Sequence, residues 1–261
     1  MRALKIAATG MQAQQTRVEV ISNNLANMST TAYNPRRAEF ADLHYEQSRR
    51  PGTVNAADGS VLPTGVQLGL GVRTSAVTME IAQGSLRNTG GDLDLAIEGD
   101  GYLEVLLPTG LSAFTRDGAL KRDADGLIVT SDGHPVIPEI TVPADARAIS
   151  INADGEVYAY FDDQVEGRQL GAFALAGFAN EKGLEAMGGN LYRETAASGA
   201  PEIGEAGRDG RGVFRQGFLE DSAVDAVREI TRLIEAQRGY ELNAKVITAA
   251  DQMMAASAQI R

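Results

Sequence analysis

Glycine and proline are so unevenly spread along this chain that they divide it before any motif is read. Of the 29 glycines, 27 fall between residues 51 and 218, leaving only Gly10 and Gly239 outside. Proline is absent from 1–34 and from 219–261. Both residues are costly inside a helix and favoured in turns. The two ends are therefore predicted to be helical, and the middle to be a glycine-punctuated β domain. Charge follows the same division: residues 1–50 carry +3, 51–218 carry −12 and 219–261 carry −2, for a total of −11. The predicted fold class is α+β, with coiled-coil-like N- and C-terminal helices and a central antiparallel β domain.

The helical pattern has a period of seven. Leu4, Met11, Val18 and Leu25 recur at that spacing, with Ala7, Ile21 and Met28 at the offset-three positions and Gln14 as the exception. At the other end Ala226, Leu233, Tyr240, Ile247 and Met254 repeat, with Ile230, Ala244 and Ala258 between them and Gln237 and Asp251 as polar interruptions. Two apolar positions per seven make a narrow seam, which suits a coiled coil. Two ordinary amphipathic helices packed on one domain would give the same pattern.

Asp-Gly pairs mark the middle, at 58–59, 100–101, 117–118, 125–126, 132–133, 154–155 and 209–210. Several adjoin β-formers, such as Leu127–Thr130 and Val157–Phe161. Asp-Gly suits a two-residue hairpin turn in which both central residues take positive φ, so an antiparallel β domain is predicted across roughly 90–200. Residues 51–72, with alternating Val66, Leu68 and Leu70, read as an extended connector or hairpin.

Catalytic and cofactor chemistry finds no foothold. Without cysteine there is no disulfide scaffold, thiolate metal site or cysteine nucleophile, and His44 and His134 alone do not make a three-ligand zinc site. Gly69-Leu70-Gly71 is followed by Thr74 where a dinucleotide fingerprint needs glycine, and no Gly-Lys-Ser/Thr occurs. Calcium loops centred on Gly126 or Gly155 would begin with Lys121 or Ser150, and neither fits. There is no Gly-x-Ser-x-Gly elbow. No enzyme activity and no cofactor are expected. A net charge of −11 gives no global attraction to nucleic acid. The small and apolar stretch from Ala172 to Ala179 is too short to insert into a membrane. Thr9 and Gly10 interrupt the apolar run that a cleaved signal would need. Arg36-Arg37 and Arg49-Arg50 form a small basic cluster, read as a solvated face or as a contact with an acidic neighbouring subunit.

Particular strings go further. The N-terminal stretch TGMQAQQTRVEVISNNLANMSTTAYNPRRAEFADLHY (9–45), above all SNNLAN at 22–27, resembles bacterial flagellar rod and hook proteins. EAQRGYELNAKVITAADQMM (235–254) resembles their C-terminal helix. LDLAIEGDGYLEV (93–105), FTRDGAL (114–120) and LYRETAASGAP (191–201) resemble their β domain. Within the family, PGTVNAADGSVLPTGVQLGLGVR (51–73) is similar to the connector of the distal-rod branch; the hook branch is longer, and the proximal-rod branch lacks this connector in this form. Ala32 stands where glycine is common, Asn34-Pro35 replaces a Lys-containing turn, and Gly239 replaces a frequent alanine. Gly239 is expected to cost its helix about 0.5–1 kcal/mol.

The resemblance implies a polymer. Its members build the straight tube between motor and hook, leave the cell through the flagellar export apparatus without a cleaved signal, and carry torque. The terminal helices would line the export channel and the β domain would face outward. Four segments follow: an N-terminal helix and turn (1–50), a connector (51–73), a central β domain (74–218) and a C-terminal helix (219–261), the first and last together forming the assembly domain. The expected self-assembly seam is Leu4, Met11, Val18, Ile21, Leu25, Ile230, Leu233, Tyr240 and Ile247, and the expected inter-subunit connector contacts are Val66, Leu68, Leu70 and Val72. Expected partners are further copies of the chain, the proximal rod protein, the hook protein, the P-ring and L-ring proteins, the export apparatus and the rod cap. Two other readings have distinct signatures: a proximal-rod or hook-like subunit, and a soluble β-domain binding module with a small closed coiled-coil oligomer.

Overall fold

The computed structural model describes residues 2–49, 64–162 and 166–259, with side chains up to 256. The chain is α+β and divides into two compact units. One comprises 1–26, 36–79 and 225–261, and the other 27–35 and 80–224.

The first unit is two helices and a ribbon. Helix α1 spans Arg2–Ala26 and α2 spans Ala226–Gln259. Asp225 caps α2, its Oδ1 accepting from the backbone N–H groups of Val227 and Arg228 at 3.1 Å each. Strands β1 (Arg36–Asp42) and β2 (Tyr45–Arg49) run out, and β3 (Val66–Gly69) and β4 (Val72–Met79) return antiparallel to them. Between the pairs, Leu43 N donates to Gly71 O at 2.8 Å and Leu70 N to His44 O at 3.1 Å, so 36–49 and 66–79 form one continuous two-stranded ribbon. Register shifts at Glu39/Phe40 and at Gln47/Arg49 are its irregularities. Thr9 of α1 sits against it: a Cβ on Gly71, whose φ is +117°, would run into the Thr9 hydroxyl, which accepts from Val72 N at 3.3 Å.

Two expectations change here. Residues 36–49, placed by the sequence within an N-terminal helix and following turn (1–50), are half of the ribbon. The boundary expected between 73 and 74 falls inside β4, whose pairing with β1 keeps it in the helical unit. The cause is the same in both cases, a pairing between segments about thirty residues apart.

The second unit is the β domain. Its largest sheet has five antiparallel strands in the order Val136–Ile137, Leu103–Leu106, Ser112–Thr115, Leu191–Arg193, Glu185–Gly188. A three-stranded sheet (Ala148–Ile151, Glu156–Tyr160, Arg168–Ala172) and the pairs Ala174–Gly177 with Glu202–Glu205 and Leu95–Glu98 with Val213–Gln216 enclose one core. Leu95, Ile97, Leu103, Val105, Ile128, Val157, Phe173, Leu175 and Phe214 belong to that core.

The Asp-Gly turns are mostly of another kind than expected. Only at 209–210 do both residues take positive φ (+52° and +79°). At 125–126, 132–133 and 154–155 the glycine alone is positive, as when a type I turn ends in a left-handed residue. The pair at 58–59 lies outside the described residues.

The turn at 27–35 belongs to the β unit. Ala32 takes φ +52°, the left-handed region that explains why glycine suits this place, and its N–H donates to Glu220 O at 2.9 Å. Ala223 N donates to Tyr33 O, and Ala82 N to Asn34 Oδ1 at 3.3 Å. Glu220 is itself a buried anchor. Its carboxylate accepts from Arg116 Nε (3.2 Å) and Nη2 (3.1 Å) and from Gly84 N (2.9 Å), while Arg116 also donates to the carbonyls of Gly99 and Gly101 at 3.0 Å each. With both partners almost fully enclosed, neither charge is left unpaired. Close by, the Tyr102 hydroxyl donates to Glu181 at 3.2 Å, and burial pushes the Tyr102 phenol and the Glu181 carboxyl above their ordinary ranges.

Candidate self-assembly surfaces

Helices α1 and α2 pack antiparallel in a fixed register. A Cβ on Gly10 would lie 2.9 Å from Asn243 Oδ1, and one on Gly239 3.0 Å from Gln14 Cδ. Arg17 Nη2 lies 3.6 Å from Glu235, and Asn24 Nδ2 donates to Glu229 Oε2 at 3.1 Å. The facing residues are therefore small or polar, with Ile21 as the exception. On α1 they include Ala7, Gly10, Gln14, Arg17, Ile21 and Asn24; on α2 they are Glu229, Ala236, Gly239, Asn243 and Ala250. Ala7, Ile21, Asn24, Glu229, Ala236 and Ala250 are buried. On α2 the heptad period is kept by Glu229, Ala236, Asn243 and Ala250, three positions after the Ala226–Leu233–Tyr240–Ile247 column and one before that of Ile230 and Ala244.

Asn24 is the pivot. It is fully buried, accepts from Arg36 N at 2.9 Å, donates to Arg36 O at 2.8 Å, and bonds Glu229, tying both helices to the start of β1. Glu229 in turn accepts from Arg232 Nη1 at 2.6 Å. The SNNLAN string thus contains a side chain that an apolar-periodicity search passes over. Gly239 has a packing reason as well: it makes room for Gln14, whose Oε1 is buried with no hydrogen-bond partner among the described residues.

Of the expected seam residues, Ile21 is buried in the intrachain pair. Leu4, Met11, Val18, Leu25, Leu233 and Ile247 are half-buried, and Ile230 and Tyr240 are exposed (49% and 46%). Val227, Ile234, Leu242, Val246 and Met253 are exposed on α2 as well. Between the helices on this outer side lies an open groove of about 420 Å³, lined by Gln15, Val18, Glu19, Gln237, Tyr240 and Glu241. The ribbon behaves alike: Val66, Leu68 and Leu70 are exposed and Val72 half-buried. Pro51 and Pro63, expected to stiffen the connector, lie outside the described residues.

Exposed apolar side chains of this size are candidate contacts for other protein surfaces. No helix among the described residues is long and apolar enough to cross a membrane, and no group of three or more metal-ligating side chains occurs among them.

Three family profiles match the chain in order. That described as "Flagella basal body rod protein" covers 4–33, "Flagellar hook protein FlgE/F/G D1 domain" covers 96–159, and "Flagellar basal body rod FlgEFG protein C-terminal" covers 215–260. Whole-chain relatives agree. The flagellar basal-body rod protein FlgG of Caulobacter vibrioides is 49% identical over 100% of both chains. That of Agrobacterium fabrum is 50% identical over 97% of each, and that of Bacillus subtilis 36% identical over 97% of each. The chain belongs to the flagellar basal-body rod and hook protein family.

Proposed function

We propose that this chain is a structural subunit of the distal flagellar rod, polymerising into a straight tube that carries torque from motor to hook and encloses the export channel. The observation that carries the reading is its identity of about half, over the full length, to basal-body rod proteins. The helix pair supplies a physical reason to polymerise. It spends its small and polar residues on itself and leaves larger apolar ones, including Ile230, Tyr240 and Leu242, for other copies. Heterologous contacts that do not close into a ring build a helical polymer.

In this reading the terminal helices pack in coiled-coil fashion against those of neighbouring subunits, in a layer around the channel, with the β unit outside. The ribbon, through Val66, Leu68, Leu70 and Val72, spaces adjacent subunits so that they do not slide. The subunit leaves through the flagellar export apparatus, and in the rod it meets the proximal rod protein, the hook protein, the rod cap and the P- and L-ring proteins across the periplasm. The function is mechanical, and no bond is made or broken.

Electron microscopy of basal bodies from a strain lacking this chain tests the proposal. Basal bodies that stop short of a complete rod and carry no hook are the expected result. Complete rods bearing hooks would overturn it.

A further inference from the structure

Helix α2 turns a different apolar flank to each side of its contact with α1. On one side, Val18 of α1 and Tyr240 of α2 floor the open groove of about 420 Å³, and Gln15, Glu19, Gln237 and Glu241 complete its lining. Two carboxylates and no basic group line it, so the groove is rimmed by acid. Glu19 accepts from Gln15 Nε2 at 3.0 Å, and neither glutamate has an ion-pair partner among the described residues.

The other flank lies in the C-terminal half of α2. At 3.6 residues per turn, Leu242, Val246 and Met253 fall to one side of the inward column Ala236–Asn243–Ala250, and Gln237, Tyr240 and Ala244 fall to the other. Leu242 is 62% exposed, and Val246 and Met253 are exposed beside it. Arg238 stands four residues before Leu242 and Lys245 three after, the spacings that place both next to it on the helix surface. Both are exposed and make no ion pair among the described residues. Glu235, the acid one turn further along this side, is engaged by Arg17 at 3.6 Å. Glu241 is within reach of Arg238 and Lys245 on its own helix without pairing to either, and exposed pairs of that spacing exchange readily. One flank is thus apolar with an acidic rim, and the other apolar with a basic rim.

We infer that the groove of one copy receives the Leu242–Val246 flank of a second copy, Leu242 resting against Val18 and Tyr240 while Arg238 and Lys245 reach Glu19 and Glu241. The occupant is a second copy because both halves of the match, in charge and in apolar character, stand on the same helix pair. The inference rests on the polymer reading above and adds to it which two faces of the helical unit meet. They are different patches of one unit, so every added copy brings a free groove and a free flank, and the contact repeats without closing on a pair. Charges beside an apolar helix seam decide which partner and which register are accepted.

The chain contains no cysteine, so introduced thiols are cross-linked without background. Gln15→Cys with Leu242→Cys, expressed in place of the unsubstituted chain and treated with a short bismaleimide in isolated basal bodies, should give a ladder of chain multimers, with peptide mapping placing the link between positions 15 and 242 of different copies. Rods that assemble without that link, or with it only inside one chain, overturn the inference. Should the double variant fail to enter rods, a charge exchange decides. Glu19→Arg with Glu241→Arg should lower incorporation by about tenfold or more, and adding Arg238→Glu with Lys245→Glu should bring it back to within about twofold. All four positions are exposed in the single chain, so the circular dichroism of the purified variants should match that of the unsubstituted chain. Incorporation unaffected by the first pair, or not restored by the second, also overturns the inference. Detecting the unsubstituted chain in isolated basal bodies tests the rod reading separately.

Discussion

The β unit buries seventeen apolar residues in one cluster, with Phe173, Leu103, Ile97 and Leu175 almost wholly enclosed. Among the described residues, the helix pair buries chiefly alanines, Ala7, Ala13, Ala236 and Ala250, with Ile21 as the one large buried aliphatic side chain. Buried apolar area stabilises by about 25 cal/mol per Å², so alanine contacts yield little each, and a two-stranded ribbon adds little by itself. One unit thus has a large core of its own, while the other buries little, as the proposed completion by neighbours would require. That asymmetry makes sense for a subunit whose ends join a polymer.

The sharpest way to break the comparison is to attack the self-sufficient side. Phe173→Ala should cost about 3–5 kcal/mol in chemical denaturation followed by circular dichroism, whereas Val227→Ala, at an exposed position on α2, should stay within about 0.5 kcal/mol. A Phe173→Ala cost below about 1 kcal/mol would remove the contrast.

Arg116→Ala should be comparably damaging, about 3–5 kcal/mol, because it strands the Glu220 carboxylate in the core. The paired change Arg116→Met with Glu220→Leu should recover a large part of that loss, as measured by the same denaturation.

On the helical side the penalty should be smaller and confined. Asn24→Ala removes the partner of Arg36 N, Arg36 O and Glu229, so a local cost of about 1–3 kcal/mol is expected. Hydrogen exchange should rise in α1 and α2 and stay unchanged across the β unit. A uniform rise over the whole chain would mean that the two units unfold together.

The smallest effect is a gain. Ala32→Gly should stabilise the chain by about 0.5–1 kcal/mol, since a left-handed alanine is strained and the glycine is not. A rise of the thermal midpoint by a few degrees checks it.

How much of this was legible in the sequence varies by element. The period of seven located both helices, because glycine and proline leave those stretches and apolar residues recur. It did not show which column turns inward. Every column of a heptad has the same period, and a search weighted by hydrophobic bulk selects Leu233 and Tyr240 over Ala236 and Asn243. The first half of the ribbon was hidden for a different reason. RRAEFADLHYEQSRR, residues 36–50, is too charged to read as a strand by itself, and its partner lies beyond 50–63. Asn24 was visible only within a family string, while Arg116 and Glu220 are 104 residues apart and nothing local couples them. Long-range polar pairs of this kind leave no periodic trace.

The central claim, that the outer face of the terminal helices is an interface between copies, is tested most directly by Ile230→Asp. The side chain is 49% exposed in the single chain, so the purified variant should keep its secondary structure and its denaturation midpoint. In the polymer the same aspartate would be buried without a partner, at a cost of several kcal/mol repeated in every subunit. The account predicts a stable, exported variant that is missing from isolated basal bodies, in cells that do not swim. Straight rods of normal length built from that variant, in swimming cells, would contradict it.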